Sequence, residues 1–347
     1  MSTEVNSQVT YKDRRFLLTI IGVIALSIGG FAAVLGPAEM YCFYLFAEGG
    51  RFHYPGFGFG SFMFGNIACQ IVGYYVVAAL FIPLGYGHLA MRRWVRTLAL
   101  TSLWVWLILG IPLILALLFT LFSVKEMSMA AALVVVVLLG ISYFALPGVL
   151  IRFYQGRDVR LSFETREPIP CRIEKVPLPI LVVCSLSVFY VVVLHLLILF
   201  NGLFPAFGAW MSGLQGIVLL DVSIVCLAAL IWGMFRLKVW AWWGAWVYLS
   251  LLASSSIWTL ARSSWSDLLS VMRLPPVEMG FLKGLPFHGR YLAALAGIPL
   301  LITLGLIVFS RRYFKPQATS TPPRSPRASL TGAPTTPGSP GTSAPSL

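Results

Sequence analysis

One aspartate stands in the middle of a long apolar run. Asp221 is flanked by Val218, Leu219, Leu220, Val222 and Ile224. A carboxylate in such a run is costly in hydrocarbon, so it marks an ion path, a proton relay or a contact between helices. Of the four histidines, His195 is the one well inside an apolar stretch, with Asn201 nearer that stretch's end. An imidazole there can tune a neighbouring charge or pass a proton. Asn66 and Gln70 are four residues apart, so a helix presents both on one face. Glu39 follows Pro37 at the far end of the first apolar run. Counted from the ends of their runs at ~1.5 Å per residue, His195 and Asp221 lie within about 6 Å in depth.

These five residues define a candidate polar chamber opening to one side of a membrane. In it Asp221 binds or relays a cation or proton, His195 tunes that charge, Glu39 draws cations to the mouth, and Asn66 and Gln70 line the wall. The competing reading is that the same groups hydrogen-bond helices to one another, beside small-residue contacts such as Gly29-x-x-x-Ala33.

Other chemistries lack their residues. There is no G-x-x-x-x-G-K-S/T loop, no H-E-x-x-H and no G-x-S-x-G. His53, His88, His195 and His288 fall in different segments, so no paired-His haem or metal site is expected. Cys42, Cys69, Cys171, Cys184 and Cys226 contain no C-x-x-C pair, which argues against a zinc site or a disulfide framework. The loop Gly49–Gly60 alternates glycine with aromatic residues but follows no strand, so it is no dinucleotide fingerprint. It reads as an interfacial aromatic loop or a re-entrant one. No cofactor is expected.

The elements that must carry these residues follow from composition. Of 347 residues, 58% are hydrophobic and only 11% charged, against about 25% charged in a soluble domain. Eight runs are long enough to cross a bilayer: Phe16 to Leu35, continuing past Pro37 to about Phe46; Phe62–Met91; Thr97–Phe122; Met127–Tyr154; Pro179–Gly202; Ser212–Phe235; Val239–Ala261; and Arg290–Phe309. A transmembrane barrel is excluded, since these runs are too long and lack period two. The first run exceeds a signal h-region and reads as a retained signal anchor.

The net charge of +13 is an orientation signal rather than a mark of nucleic-acid binding. With eight spans, 19 of the 25 basic residues fall on the side of the two termini. Only Arg51, Lys125, Arg262, Arg273, Lys283 and Arg290 fall on the other. This asymmetry predicts both termini in the cytoplasm.

Two stretches are alike at an offset of 146 residues, with Gly87/Gly233, Arg92/Lys238 and Trp94/Trp240 in register. Each follows an even-numbered span, so two parallel four-helix repeats would explain them, as would the general needs of a tight interfacial hairpin. The expected fold is an all-α, polytopic integral membrane helical bundle of eight transmembrane helices. Its expected parts are a cytoplasmic N-terminus (1–15), a first membrane half (16–154), a cytoplasmic linker (155–178), a second half (179–310) and a disordered Pro/Ser/Thr-rich tail (311–347). The tail's Pro323-x-x-Pro326 and Pro334-x-x-Pro337 spacings suit polyproline ligands or a plain solvated extension. Trp265, Leu268, Leu269 and Met272 recur at helical spacing and predict a short interfacial helix.

The functional expectation is a non-enzymatic multi-pass protein of the cell membrane, with transport or permeation of a small solute or ion as its mechanism. The alternative is a structural or assembly subunit of a membrane complex, and the third reading is a membrane-embedded lipid-modifying enzyme. The expected partners are the lipid bilayer, a small solute or ion, and membrane-complex subunits, with no nucleic acid.

Overall fold

The computed structural model describes residues 12–58, 60–123, 128–284 and 288–314. The tail beyond 314, with its two proline spacings, lies outside the described residues. The protein is an all-α bundle in which eight helical segments are long and apolar enough to cross a membrane, so it is a multi-pass integral membrane protein. Seven are single helices: α1 (Arg15–Phe46), α2 (Phe62–Leu89), α3 (Arg93–Ser123), α7 (Leu178–Leu199), α8 (Gly213–Phe235), α9 (Val239–Arg262) and α12 (Gly289–Ser310). The fourth span joins α4 (Met129–Gly140) to α5 (Leu146–Gln155) through a π-helical turn, Ile141–Ala145. Short helices α6 (Arg157–Glu164), α10 (Trp265–Met272) and α11 (Pro276–Lys283) lie between spans. The predicted interfacial helix is α10; α11 and a two-stranded hairpin, β1 (Phe204–Ala206) with β2 (Ala209–Met211), were not foreshadowed by any period.

Helix α1 runs unbroken through Pro37 and packs along α2 by a seam of small residues: Gly22, Ala25, Gly29, Ala32 and Gly36 are all buried. A Cβ on Gly29 would sit 2.8 Å from the Ile82 backbone nitrogen, and one on Gly22 2.7 Å from the His88 Cβ. Backbones this close recover through dispersion what lipid cannot drive by hydrophobicity. The seam uses Ala32 rather than the expected Ala33, since i+3 and i+4 alternate down one face.

The second half closes on itself, with α7, α8, α9 and α12 packed in a ring. Its core holds Ile180, Leu186, Leu220, Leu227, Leu249 and Ile307, each essentially inaccessible. The first half is an open series, α1 on α2, α2 on α3 and α3 on α5. Helix α3 also packs on α7 and α12 and so joins the halves. In α4 no residue is buried, whereas α5 buries Pro147, Ile151 and Tyr154. The π turn marks the change, and it brings Tyr143 against Gly110 of α3 and into a T-shaped contact with Trp106.

The two similar stretches adopt the same turn. Helices α2 and α8 end in a Schellman motif. The Arg92 N–H reaches Gly87 O at 2.8 Å and the Met91 N–H reaches His88 O at 3.1 Å; the Lys238 and Leu237 N–H groups reach Gly233 O and Met234 O at 3.0 and 2.9 Å. The left-handed position falls on Met91 (φ 49°) and Leu237 (φ 56°), also 146 apart. Trp94 lies over Gly87 and Trp240 over Gly233, where glycine leaves room for the indole.

The linker lies across the base-rich end. Arg93 pairs with Glu164 at 3.3 Å and Glu174 at 2.7 Å and donates to Pro168 O at 3.2 Å. The Arg93 backbone N–H donates to Glu167 at 2.7 Å. Ser162 accepts the Arg14 N–H at 3.1 Å, and Val159 and Phe163 of α6 are buried beneath. These contacts tie the linker to the starts of α1 and α3.

Candidate functional site

Helix α8 is apolar nearly all round, and its two faces differ only in what they touch. Gly216, Leu220, Ser223, Leu227, Leu230, Gly233 and Met234 are buried. Leu214, Val218, Asp221, Val222, Val225 and Trp232 form the exposed stripe. Asp221, expected toward the bundle interior, therefore lies on the outer flank, between the buried Leu220 and Ser223 only in sequence. Eight residues past Gly213, it sits about 12 Å below the start of α8. Among the described residues no hydrogen bond or ion pair reaches it.

His195 is also exposed. Its Nδ1 lies 2.8 Å from Val191 O, one turn back, which places the proton on Nδ1 and leaves Nε2 facing outward. The end of α7 and the start of α8 are level, because the Gly213 N–H donates to Asn201 O at 2.7 Å. Cys184 directs its Sγ at Ile231 O across the α7–α8 contact, at 3.9 Å. His195 is three turns above Cys184 on the same side of α7, and Asp221 lies about 80° around α8 from the line of Ile231. Both therefore border the lipid side of the α7–α8 seam, about 6 Å apart in depth.

The other three candidates stand elsewhere. Asn66 and Gln70 share an exposed face of α2, and Glu39 is half-buried on α1. Among the described residues none of the three is joined by a hydrogen bond to another of the five. The structure thus brings His195 and Asp221 to one seam and leaves Glu39, Asn66 and Gln70 on the α1–α2 pair. Asn201, placed near them by sequence, instead donates from Nδ2 to Val271 O at 3.0 Å.

The polar groups that the fold does bury sit at the base-rich end. His88 is fully enclosed, with Nδ1 2.7 Å from Leu84 O and Nε2 2.5 Å from the Tyr154 hydroxyl. With Nδ1 donating to the carbonyl, Nε2 accepts from Tyr154, and the edges of the Tyr154 and Phe163 rings close the pocket. Arg96 Nε donates to Tyr154 O at 2.9 Å, holding the end of α5. Hydrogen bonding to Glu167 raises the Arg92 pKa, and hydrogen bonding to Glu164 raises that of Arg160. No spacing in the sequence links His88 to Tyr154; the adjoining Gly87 and the basic cluster after it were the signals for a tight corner.

At the base-poor end the unforeseen residue is Glu278. Its carboxylate accepts the N–H groups of Phe62 at 2.6 Å and Met63 at 3.0 Å, capping the start of α2 from a helix two hundred residues away. Ser61 Oγ accepts the Phe64 N–H at 3.0 Å in the same turn. Leu269, Leu274 and Leu282 are buried under this cap with Phe62 and Trp265 beside them. The Gly/aromatic loop folds back on α1, with Phe52 stacked on Phe46 and Phe57 tilted against Phe43.

Among the described residues no group of three His, Cys, Asp or Glu side chains is placed to hold a metal ion. All five cysteines are free. No protein-family model, no curated protein and no solved structure matches this chain.

Proposed function

We propose that this multi-pass membrane protein is a non-enzymatic subunit of a membrane assembly, whose contact face is the outer flank of the α7–α8 seam. The observation that carries this reading is the exposure of Asp221 about 12 Å into a span, with no hydrogen bond or ion pair among the described residues. A lone carboxylate facing lipid is expensive, and a protein neighbour at that depth relieves it. The exposed His195 on the same flank, and the tightly packed apolar core behind it, favour a contact made outside the bundle.

A second reading, passage of a small solute or ion, is favoured by the same pair. A neighbour seated on the seam would enclose Asp221 and His195 between two proteins and make a polar path there, rather than within one chain. The basic asymmetry supports cytoplasmic termini in the cell membrane. The matched turns after α2 and α8 support a tandem duplication of two parallel four-helix halves.

The test is the mass of the protein extracted gently from its own membranes, with photo-crosslinkers at Val218 and Val222. Wild type should run as a complex and crosslink to protein; Asp221→Leu should run as the monomer. A monomeric wild type whose crosslinkers capture only lipid refutes the assembly. Flux into liposomes that falls in Asp221→Asn supports the path, and wild-type flux equal to empty vesicles counts against it.

A further inference from the structure

Only six basic residues belong to the base-poor side of the sequence, and three of them meet at one recess. Arg262 is the last residue of α9, Lys283 the last of α11 and Arg290 the second of α12. The recess has a volume of about 540 Å³, and Ser264, Ser266 and His288 complete its rim. Helix α10 and the length of α11 separate Arg262 from Lys283 in the chain, so their meeting is a product of the fold.

The walls are firmly built. The start of α12 presses on the end of α9 at Gly289, where a Cβ would run into the carbonyl oxygens of Ser263 and Leu260. Ser263 Oγ accepts from Trp210 Nε1 at 2.7 Å and donates to Thr259 O at 2.7 Å, fixing the same corner. The Arg262 guanidinium lies 4.1 Å from the centroid of the Trp258 ring. A ring face holds it in place while leaving its charge uncompensated.

Among the described residues, no acid forms an ion pair with Arg262, Lys283 or Arg290. The two acids close in sequence are committed elsewhere: Asp267 accepts the Ser264 N–H at 2.9 Å in a capping box, and Glu278 accepts the N–H groups of Phe62 and Met63. Three like charges around one recess repel unless an anion sits between them. The recess lies where α9 ends and α12 begins, the level at which a bilayer carries its phosphates. Guanidinium groups match phosphate oxygens in a bidentate fork and an ammonium adds a point charge; Ser264 and Ser266 share a hydrogen bond at 2.8 Å, which leaves one hydroxyl to donate.

We propose that this recess is a phosphate-binding site, in which Arg262, Lys283 and Arg290 clamp either the headgroup of an anionic lipid or the phosphate of a soluble ester. The site stands apart from the α7–α8 seam and does not depend on the function proposed above.

The full chain in phosphatidylcholine nanodiscs tests it, with phosphatidylglycerol and inorganic phosphate as the two probes. Retained lipid is read by native mass spectrometry and phosphate by the shift in unfolding midpoint. Wild type should prefer phosphatidylglycerol to phosphatidylcholine, or be stabilised by phosphate. Changing all three bases to glutamine should weaken that binding on the order of a hundredfold, at roughly fivefold per base near an anionic group. Arg51→Gln with Arg273→Gln, two of the three bases of the same side outside the recess, should leave it unchanged. Preference for the lipid that phosphate does not displace identifies a headgroup site; stabilisation by phosphate alone identifies a soluble ester. No preference for either probe in wild type, full binding by the triple variant, or equal loss in the control pair overturns the proposal. Arg290→Gln alone, expected at about fivefold, decides the matter should the triple variant not fold.

Discussion

Replacing Asp221 with leucine should leave the isolated bundle as stable as it was and weaken only its association. The side chain lies on the exposed stripe of α8 with no hydrogen bond or ion pair among the described residues. In a bilayer, the unfolded reference keeps α8 inserted, so a lipid-facing residue has the same surroundings before and after the bundle comes apart. The expected change in monomer stability is within about 0.5 kcal/mol, as for surface substitutions away from special features. Were the carboxylate instead buried and paired, its loss would cost about 3–5 kcal/mol. Association is another matter, because a polar contact between membrane helices contributes about 1–2 kcal/mol. Losing one such contact raises the dissociation constant about five- to thirtyfold. Monomer stability can be read from reversible unfolding in bicelles, and association from dilution in the same lipid. A loss of more than about 1 kcal/mol in the monomer would refute the placement of Asp221 on the outer flank. Unchanged association would refute its role as a contact.

Four further outcomes follow from the packing. Gly233→Ala should destabilise the fold by about 1–3 kcal/mol, and more than Gly87→Ala. The added methyl meets the immovable Cβ of Ala241 at 2.5 Å in the first case but a rotatable Val95 Cγ2 at 2.8 Å in the second, and unfolding midpoints rank the two. Glu278→Ala removes two bonds to a charged acceptor, each of the class that contributes about 1.5–3 kcal/mol. Amide exchange at Phe62 and Met63 should speed up, while Phe64, bonded to Ser61, changes little. Arg93→Gln severs the links to Glu164, Glu174 and Pro168, and protease cleavage between 165 and 171 should rise sharply. Hydrogen bonds from Ser264 hold the Asp267 carboxyl below its ordinary value of 3.8. Because this folded-state value is depressed, the stabilisation of α10 is complete above the ordinary value and is lost as pH falls through the lower one. Exchange protection of the Ser264 N–H, which the carboxylate accepts, should therefore persist at pH 5 and vanish only below about 3.8.

The spans were legible because hydrocarbon imposes a length, and runs such as Leu178–Leu199 meet it without a charge. Their facing was not. In α8, Val218, Leu219, Leu220 and Val222 offer lipid and core the same chemistry, so no period reveals which side Asp221 occupies. The turns after α2 and α8 were legible because glycine, a base and tryptophan have fixed uses there. The small-residue seam of α1 was visible only in kind, since Ala32 and Ala33 suit it equally until the phase of the helix is known. The π turn at Ile141–Ala145 left no sign in the span's hydropathy, and Glu278 and the three bases of the recess act across distances that no local motif spans. Of the five residues read as one chamber, two share a seam because α7 and α8 are level at their ends; depth was computable from sequence, and azimuth was not.

The π turn in the fourth span has a mechanical meaning. A π turn is one residue more than an α-helix needs, so Ile141–Ala145 carries an insertion already absorbed. Removing one residue there would restore the α-helical ladder and leave α4 at nearly the same angle relative to α5, whereas a deletion in a regular α-helix would rotate it by about 100°. Since α4 buries nothing, the change is confined to a segment outside the core, while Ile151 and Tyr154 keep their places below. The upper half of this span is therefore a segment whose length can change by one residue without disturbing the core.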